Sequence, residues 1–229
     1  DGKNLFKPGK DPENNKQFLL FISAVIEAVD RYYPLLRAVT ATATNDHRLG
    51  GHEAPPAIIS IFLGDELTTI LEDIALNKHS TRIAASKLNL GLDVLPTLST
   101  DAGDRNRTSP FAFTGNKFEF RMPGSSSTPA AINSIVAKVL KEYADKLETS
   151  ENIDETIREI ITKTYKEHSR IIFNGNGYSR EWAIEAEKRG LTSEVSSNLA
   201  LRSLINPEIV SVLEEVGMLT EHESIARYN

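Results

Sequence analysis

Apolar residues recur along the first part of this chain at the spacing of a helix. Phe18, Ile22, Val25, Ile26 and Val29 stand at i, i+4, i+7, i+8 and i+11, a stripe along one side of an α-helix. The pattern predicts a helix over residues 10–34, with Asp11 as N-cap, Pro12 at the first helical position and Pro34 as the stop. Residues 37–45, RAVTATATN, are rich in Thr, Val and Ala and read as a short strand. Residues 57–62, AIISIF, are β-branched and compact enough for a buried strand, although Pro55 and Pro56 bar a central strand just before it. Leu67, Ile70, Leu71 and Ile74 share one helical face. Leu88, Leu90, Leu92 and Val94 alternate at period two, a strand signal. Residues 111–122 read as two short strands around Thr114, Gly115 and Asn116.

From residue 128 onward the pattern is helical. Thr128 and Pro129 open a helix that runs to about Leu147, and residues 152–168 form another. Ser179 caps the next, which Gly190 stops; Asn206, Pro207 and Gly217 repeat that arrangement, and Thr220 with Glu223 makes a capping box. The expected class is α+β: helices, strands and loaded loops over residues 1–127, then a mainly helical region over 128–229. The regular β–α alternation of a doubly wound sheet is missing.

Composition narrows the function classes. A 229-residue chain that is 40% hydrophobic can bury a real core. A net charge of −6 with acids and bases interspersed argues against a general nucleic-acid binder. With no cysteine there is no disulfide, thiolate metal site or cysteine nucleophile, which is compatible with a reducing compartment. No apolar run approaches the roughly 18–20 residues of a membrane span. The opening residues DGKNLFKPGK carry neither an initiator Met nor a signal-peptide pattern, so we expect a piece of something longer.

Two loops concentrate ionisable chemistry. In the first, residues 45–58, Arg48 offers a five-donor fork suited to a carboxylate or phosphate, and Glu53 sits between Gly50–Gly51 and Pro55–Pro56. Such a loop can swing as a lid and carry a base, or it can be a solvated polar turn. His47 and His52 are five apart among glycines and prolines, a spacing that fits neither a helix face nor a strand face, and they stay unassigned. The second loop, residues 104–121, holds Arg105, Arg107 and then Lys117, Glu119 and Arg121 at period two, with Phe118 and Phe120 on the opposite face. Those cations around one carboxylate suit a polyanion with a metal, and a solvated strand face has the same pattern. The chain lacks a Walker A loop, so nucleotide chemistry here is not of the P-loop type.

The stretches NDHRLGGHEAPPAIISIFLGDEL and DRNRTSPFAFTGNKFEFRMPGSS together resemble glutamine synthetase, specifically the large type III class. The resemblance is strongest over about residues 11–148 and continues into the helical tail. It implies part of an antiparallel-sheet catalytic domain followed by a helical C-terminal region. It also implies ATP-dependent ligation of ammonia to the glutamate side chain through γ-glutamyl phosphate. Arg48 matches the arginine that binds glutamate, and Arg121 one at the transferred phosphoryl group and the substrate. Glu53 matches the flap glutamate that takes a proton from ammonium, and Arg107 an arginine on the ATP phosphates. Lys117 stands where many members carry a nucleotide-contacting arginine, Glu119 matches a ligand of Mg2+ or Mn2+, and Ala112 replaces a further arginine of the family. The family's other metal ligands and its N-terminal domain lie upstream of this sequence, so the chain alone is expected to be inactive. The resemblance further implies a cytoplasmic homo-oligomeric ring with active sites between subunits, and no nucleic acid or membrane partner. A γ-glutamyl-amine ligase, a guanidino kinase and a non-catalytic scaffold on the same fold are the rivals.

Overall fold

A computed structural model describes residues 2–51, 54–77, 108–124 and 128–229, with the backbone alone at 87–88 and 98–99. Helix α1 spans Lys16–Val39. It begins a turn later than Asp11 because Asn15 supplies the cap: its side-chain oxygen accepts the Phe18 N–H while its amide donates to the Pro8 carbonyl. Pro34 does not stop it. The backbone leaves helical geometry at Tyr32 (φ −118°, ψ 21°), and this kink lets the chain continue past a residue that has no N–H. The apolar stripe of α1 is the centre of the core, with Ile22, Ile26, Val29 and Leu36 fully buried.

The strand expected over residues 37–45 is absent. Those residues finish α1 and open α2, Ala43–Arg48. Thr42 caps α2 by accepting the Asn45 N–H, so a local side-chain bond outweighs the β preference of Thr and Val. Residues 57–63 are buried throughout, and the ladder strand within them is β1, Ile61–Phe62. Helix α3, Asp65–Ala75, follows. The chain entering it is held from a distance: the Asn174 side-chain oxygen accepts the N–H groups of Leu63 and Gly64. Strands β2, Lys87–Leu88, and β3, Leu98–Ser99, pair antiparallel; the rest of the period-two run at 90–94 lies outside the described residues.

Strands β4, Phe111–Phe113, and β5, Phe118–Phe120, form the expected hairpin. The sheet they join is mixed rather than antiparallel, in the order β1-β4-β5, because β1 and β4 run parallel. A parallel pair needs a long crossover, and the segment containing α3 provides it. Register places Ile61, Phe111 and Phe120 on one face, and Phe62, Ala112 and Glu119 on the other. The first face packs against α1 through an aromatic cluster that includes Phe6, Phe18, Phe113 and Phe118.

The remaining helices are α4 (Ala130–Glu148), α5 (Ile153–His168), α6 (Arg180–Lys188), α7 (Ser197–Ala200), α8 (Pro207–Glu215) and α9 (Glu221–Tyr228). Asn152, Ser179, Asn206 and Thr220 cap α5, α6, α8 and α9. Gly190 and Gly217 take left-handed φ after α6 and α8. Helix α4 starts one residue later than expected, with Pro129 at the N-cap and the Thr128 hydroxyl accepting from the Ala130 N–H. Helix α1 packs against both α4 and α5, so one core runs across residue 127. His168, at the end of α5, lies beside this core. It contacts the buried Asp30 at 2.8 Å, and Arg170 holds the other carboxylate oxygen at 2.9 Å. The last turn of α5 faces α1 there, and a buried carboxylate requires cationic or hydrogen-bonding partners.

The loop at 174–178 packs against the segment at Thr108. The Gly177 N–H donates to the Thr108 hydroxyl at 2.7 Å, and a Cβ at 177 would meet the Thr108 carbonyl oxygen at 2.6 Å. Gly177→Ala is therefore expected to destabilise the protein by about 1–3 kcal/mol. A denaturant titration that finds no loss would show that Thr108 can move aside without cost.

Candidate functional site

The charged face of β5 carries three of the residues singled out from sequence. Glu119 lies between Lys117 and Arg121. One carboxylate oxygen pairs with the Lys117 ammonium at 3.2 Å, and the other accepts from the Arg121 guanidinium at 3.0 and 3.2 Å. The hydrogen bond from Arg121 is the main cause of a lowered Glu119 pKa, with Lys117 adding to it against a smaller opposing effect of burial. Glu119 is thus a carboxylate at neutral pH, and at 37% side-chain exposure it is open to solvent. Its cross-strand neighbour on this face is Ala112, which is buried. An arginine there would stand beside the same carboxylate, so Lys117 and Arg121 supply the flanking charge instead.

Arg48 reaches this strand from α2. One terminal nitrogen donates to the Asn45 side-chain oxygen at 2.9 Å and to the Met122 carbonyl at 3.0 Å. The other donates to the Arg121 carbonyl at 3.0 Å. Three of its five N–H donors are therefore committed to the protein, which fixes the plane of the guanidinium and leaves two for a ligand. The opening loop and the second loop meet here.

The residues that hold α2 in place were not evident in the sequence as part of a site. The Asn45 amide donates to the carbonyls of Thr40 and Met122. Asp46 accepts from Arg37 at 2.7 Å, from the Ser197 hydroxyl at 2.7 Å and from the Ser197 N–H at 2.6 Å. Burial pushes the Asp46 carboxyl up, but the Ser197 bonds and the Arg37 guanidinium outweigh it and the pKa is lowered. Arg37 is only 2% exposed, and its Nε also donates to the Glu194 carbonyl at 2.6 Å. Asn45 and Asp46 belong to the loaded loop and could have been suspected from it. Arg37 sits in the last turn of a helix and carries no local signal.

Glu53, Arg107, Arg105 and His52 lie outside the described residues. The Gly50 N–H donates to the Pro55 carbonyl at 3.0 Å, and Gly50 has φ of 80°, a conformation that favours glycine. His47 is on the exposed part of α2. Among the described residues no three His, Asp or Glu side chains converge as a metal centre. No helix among them is long and apolar enough to cross a membrane. An apolar cavity of about 560 Å³ between the hairpin and α4 is lined by Phe111, Phe118, Phe120, Ile132 and Val136. It lies against the phenylalanine face of the sheet, and of the Glu119 cluster only Lys117 lines it.

With that geometry established, sequence comparison identifies the class. Residues 156–229 match the family described as the glutamine synthetase C-terminal domain. The chain is 41% identical to the type-3 glutamine synthetase of Dictyostelium discoideum, over 99% of this chain and 32% of that protein. It is 41% identical to a glutamine synthetase of Butyrivibrio fibrisolvens over 99% of this chain and 33% of that protein. Against a glutamine synthetase of Bacteroides fragilis (strain YCH46) the identity is 46%, over 84% of this chain and 28% of that protein. The resemblance read from the two loops therefore holds, and the chain is homologous to glutamine synthetases along nearly all of its length. It spans about a third of the length of these curated relatives.

The lowered pKa of Glu119 has a consequence for stability. Its ion pairs contribute fully above the ordinary carboxylate range and are lost as pH falls through the lower folded value. The cluster is exposed, so the contribution is no more than about 1 kcal/mol. Wild type and Glu119→Gln should differ in urea midpoint near neutral pH and converge as the pH falls below the ordinary carboxylate range and through the lowered folded value. A gap that stays constant across that range would contradict the pairing.

Proposed function

We propose that this chain is the C-terminal part of a type III glutamine synthetase catalytic domain (residues 1–127 and the first part of 128–229) together with its helical tail. In the complete protein it serves as a glutamate–ammonia ligase. The observation that carries this reading is the junction of Arg48 with the β5 strand. It brings a carboxylate-binding arginine to the strand bearing Lys117, Glu119 and Arg121, and homology to glutamine synthetases supplies the substrates.

Arg48 binds glutamate, and Arg121 stands at the transferred phosphoryl group and the substrate, each in a fixed orientation set by its protein partners. Lys117 and Arg107 contact the ATP phosphates, where negative charge develops as the γ-phosphoryl group moves to the glutamate side chain. Glu119 fits one position of a hard divalent cation such as Mg2+ or Mn2+, since it is ionised and accessible. When bound there, the metal neutralises phosphate charge, and its other ligands come from beyond the described residues. Glu53 on the flap takes a proton from ammonium, and the closed flap keeps water from the acyl phosphate. Ammonia then attacks the acyl carbon and phosphate leaves. Sites formed between subunits of a cytoplasmic homo-oligomeric ring complete the proposal.

Two experiments on the complete protein test this. ATP-dependent conversion of glutamate and ammonium to glutamine is the expected activity. Turnover only with larger amines would favour a γ-glutamyl-amine ligase, and no ATP turnover at all would favour a scaffold. Glu53→Ala should lower glutamine synthesis by about 10²–10⁴-fold while ATP binding persists. Synthesis at the parental rate would remove Glu53 from the role of base.

A further inference from the structure

We infer that Asp46 and Ser197 are positioning residues for Arg48, so that the helical C-terminal region sets the geometry of substrate binding at the base of the flap. The inference rests on the reading of Arg48 as a glutamate ligand.

Helix α2 has six residues, too few to be stable in water by itself. Its place, and hence the place of Arg48, must be fixed from outside. Residues two apart on a helix point about 200° from each other, so Asp46 and Arg48 leave α2 on opposite sides. The Arg48 side is bound to the end of β5. The Asp46 side is bound to Arg37 and to Ser197, which lies 151 residues further along the chain. Arg37 grips the same distant segment through the Glu194 carbonyl. The short helix is therefore held between the catalytic strand on one side and residues 194–197 on the other.

The chemistry of the Asp46 side is specific. Both carboxylate oxygens are used, one by Arg37 and the Ser197 hydroxyl, the other by the Ser197 N–H. All three partners are donors, so only an acceptor with two oxygens serves all of them. An amide at 46 would turn its NH2 toward at least one donor. Arg37 is buried and one of its terminal nitrogens has no hydrogen-bond partner. Asp46 is the carboxylate paired with it, so the two cannot separate without leaving a guanidinium uncompensated in the interior. Residues 194–197 belong to the part of the chain that matches the glutamine synthetase C-terminal domain. On this account that part determines where the substrate arginine stands, in addition to packing the core.

The test is steady-state kinetics of the complete protein, with glutamate and ATP varied separately. Ser197→Ala deletes the hydroxyl that donates to Asp46 and keeps the backbone N–H. Asp46→Asn removes the charge from the other side. Each should raise KM for glutamate roughly tenfold, the scale of one lost charge-assisted hydrogen bond, while KM for ATP stays within about twofold. Ser197→Thr, which keeps both donors, should match the parent. A merely structural role would lower kcat or the active fraction and leave both KM values alone, and that result overturns the inference. An equal rise in both KM values overturns it too. Arg48→Lys separates the two levels. If Arg48→Lys raises KM for glutamate and the Asp46 and Ser197 variants do not, the inference fails alone. If Arg48→Lys leaves it unchanged, the reading of Arg48 fails and the inference with it.

Discussion

A guanidinium buried at the end of α1 constrains much of what surrounds it. Arg37 is 2% exposed, and a charge so placed requires a carboxylate and carbonyl oxygens around it. Asp46, Glu194 and Val195 supply them. These partners lie on two segments far apart in sequence, the six-residue α2 and the extended chain before α7, and Arg37 ties one to the other. Buried ion pairs of this kind contribute little net stability. They do specify arrangement, because any alternative packing of α2 leaves the arginine uncompensated.

The site follows from that arrangement together with the parity of a strand. With α2 fixed, Arg48 meets the carbonyls at the end of β5. On β5 itself, alternation sends Phe118 and Phe120 into the aromatic cluster against α1 and leaves Lys117, Glu119 and Arg121 on the other face. The same apolar contacts that bury the sheet therefore present the charges. A one-residue slip in the β4–β5 register would bury Glu119 and expose the phenylalanines. Opposite Glu119 the buried Ala112 contributes packing, while β5 contributes the charge on this face.

Legibility in the sequence tracked whether the determining interaction was local. The helices with a capping residue and a glycine stop, α6 and α8, stand where Ser179, Gly190, Asn206 and Gly217 put them. The hairpin and the shared face of Lys117, Glu119 and Arg121 follow from alternation alone. Failures came where distant contacts decide. Helix α1 runs past Pro34 because a kink at Tyr32 and packing on both sides sustain it. Residues 37–45 are helical because Thr42 caps them and Asn45 and Asp46 find partners far along the chain. The parallel pairing of β1 with β4 depends on a crossover that no local pattern encodes. His168 carries no local sign of its role because its partner Asp30 is on another helix. For the site, Arg48 and the β5 charges were readable from residue type and spacing, whereas Arg37 and Ser197 act only through where the fold brings them.

The central claim is that the opening loop and the β5 strand form one substrate site rather than two adjacent charged surfaces. Double-mutant coupling tests it most directly. Glutamate affinity of the complete protein would be measured by calorimetry for Arg48→Lys, Arg121→Lys and the pair. A single site predicts a coupling energy of about 1 kcal/mol or more between the two changes. Effects that add to within about 0.3–0.5 kcal/mol would mean that the arginines act independently, and would contradict the account.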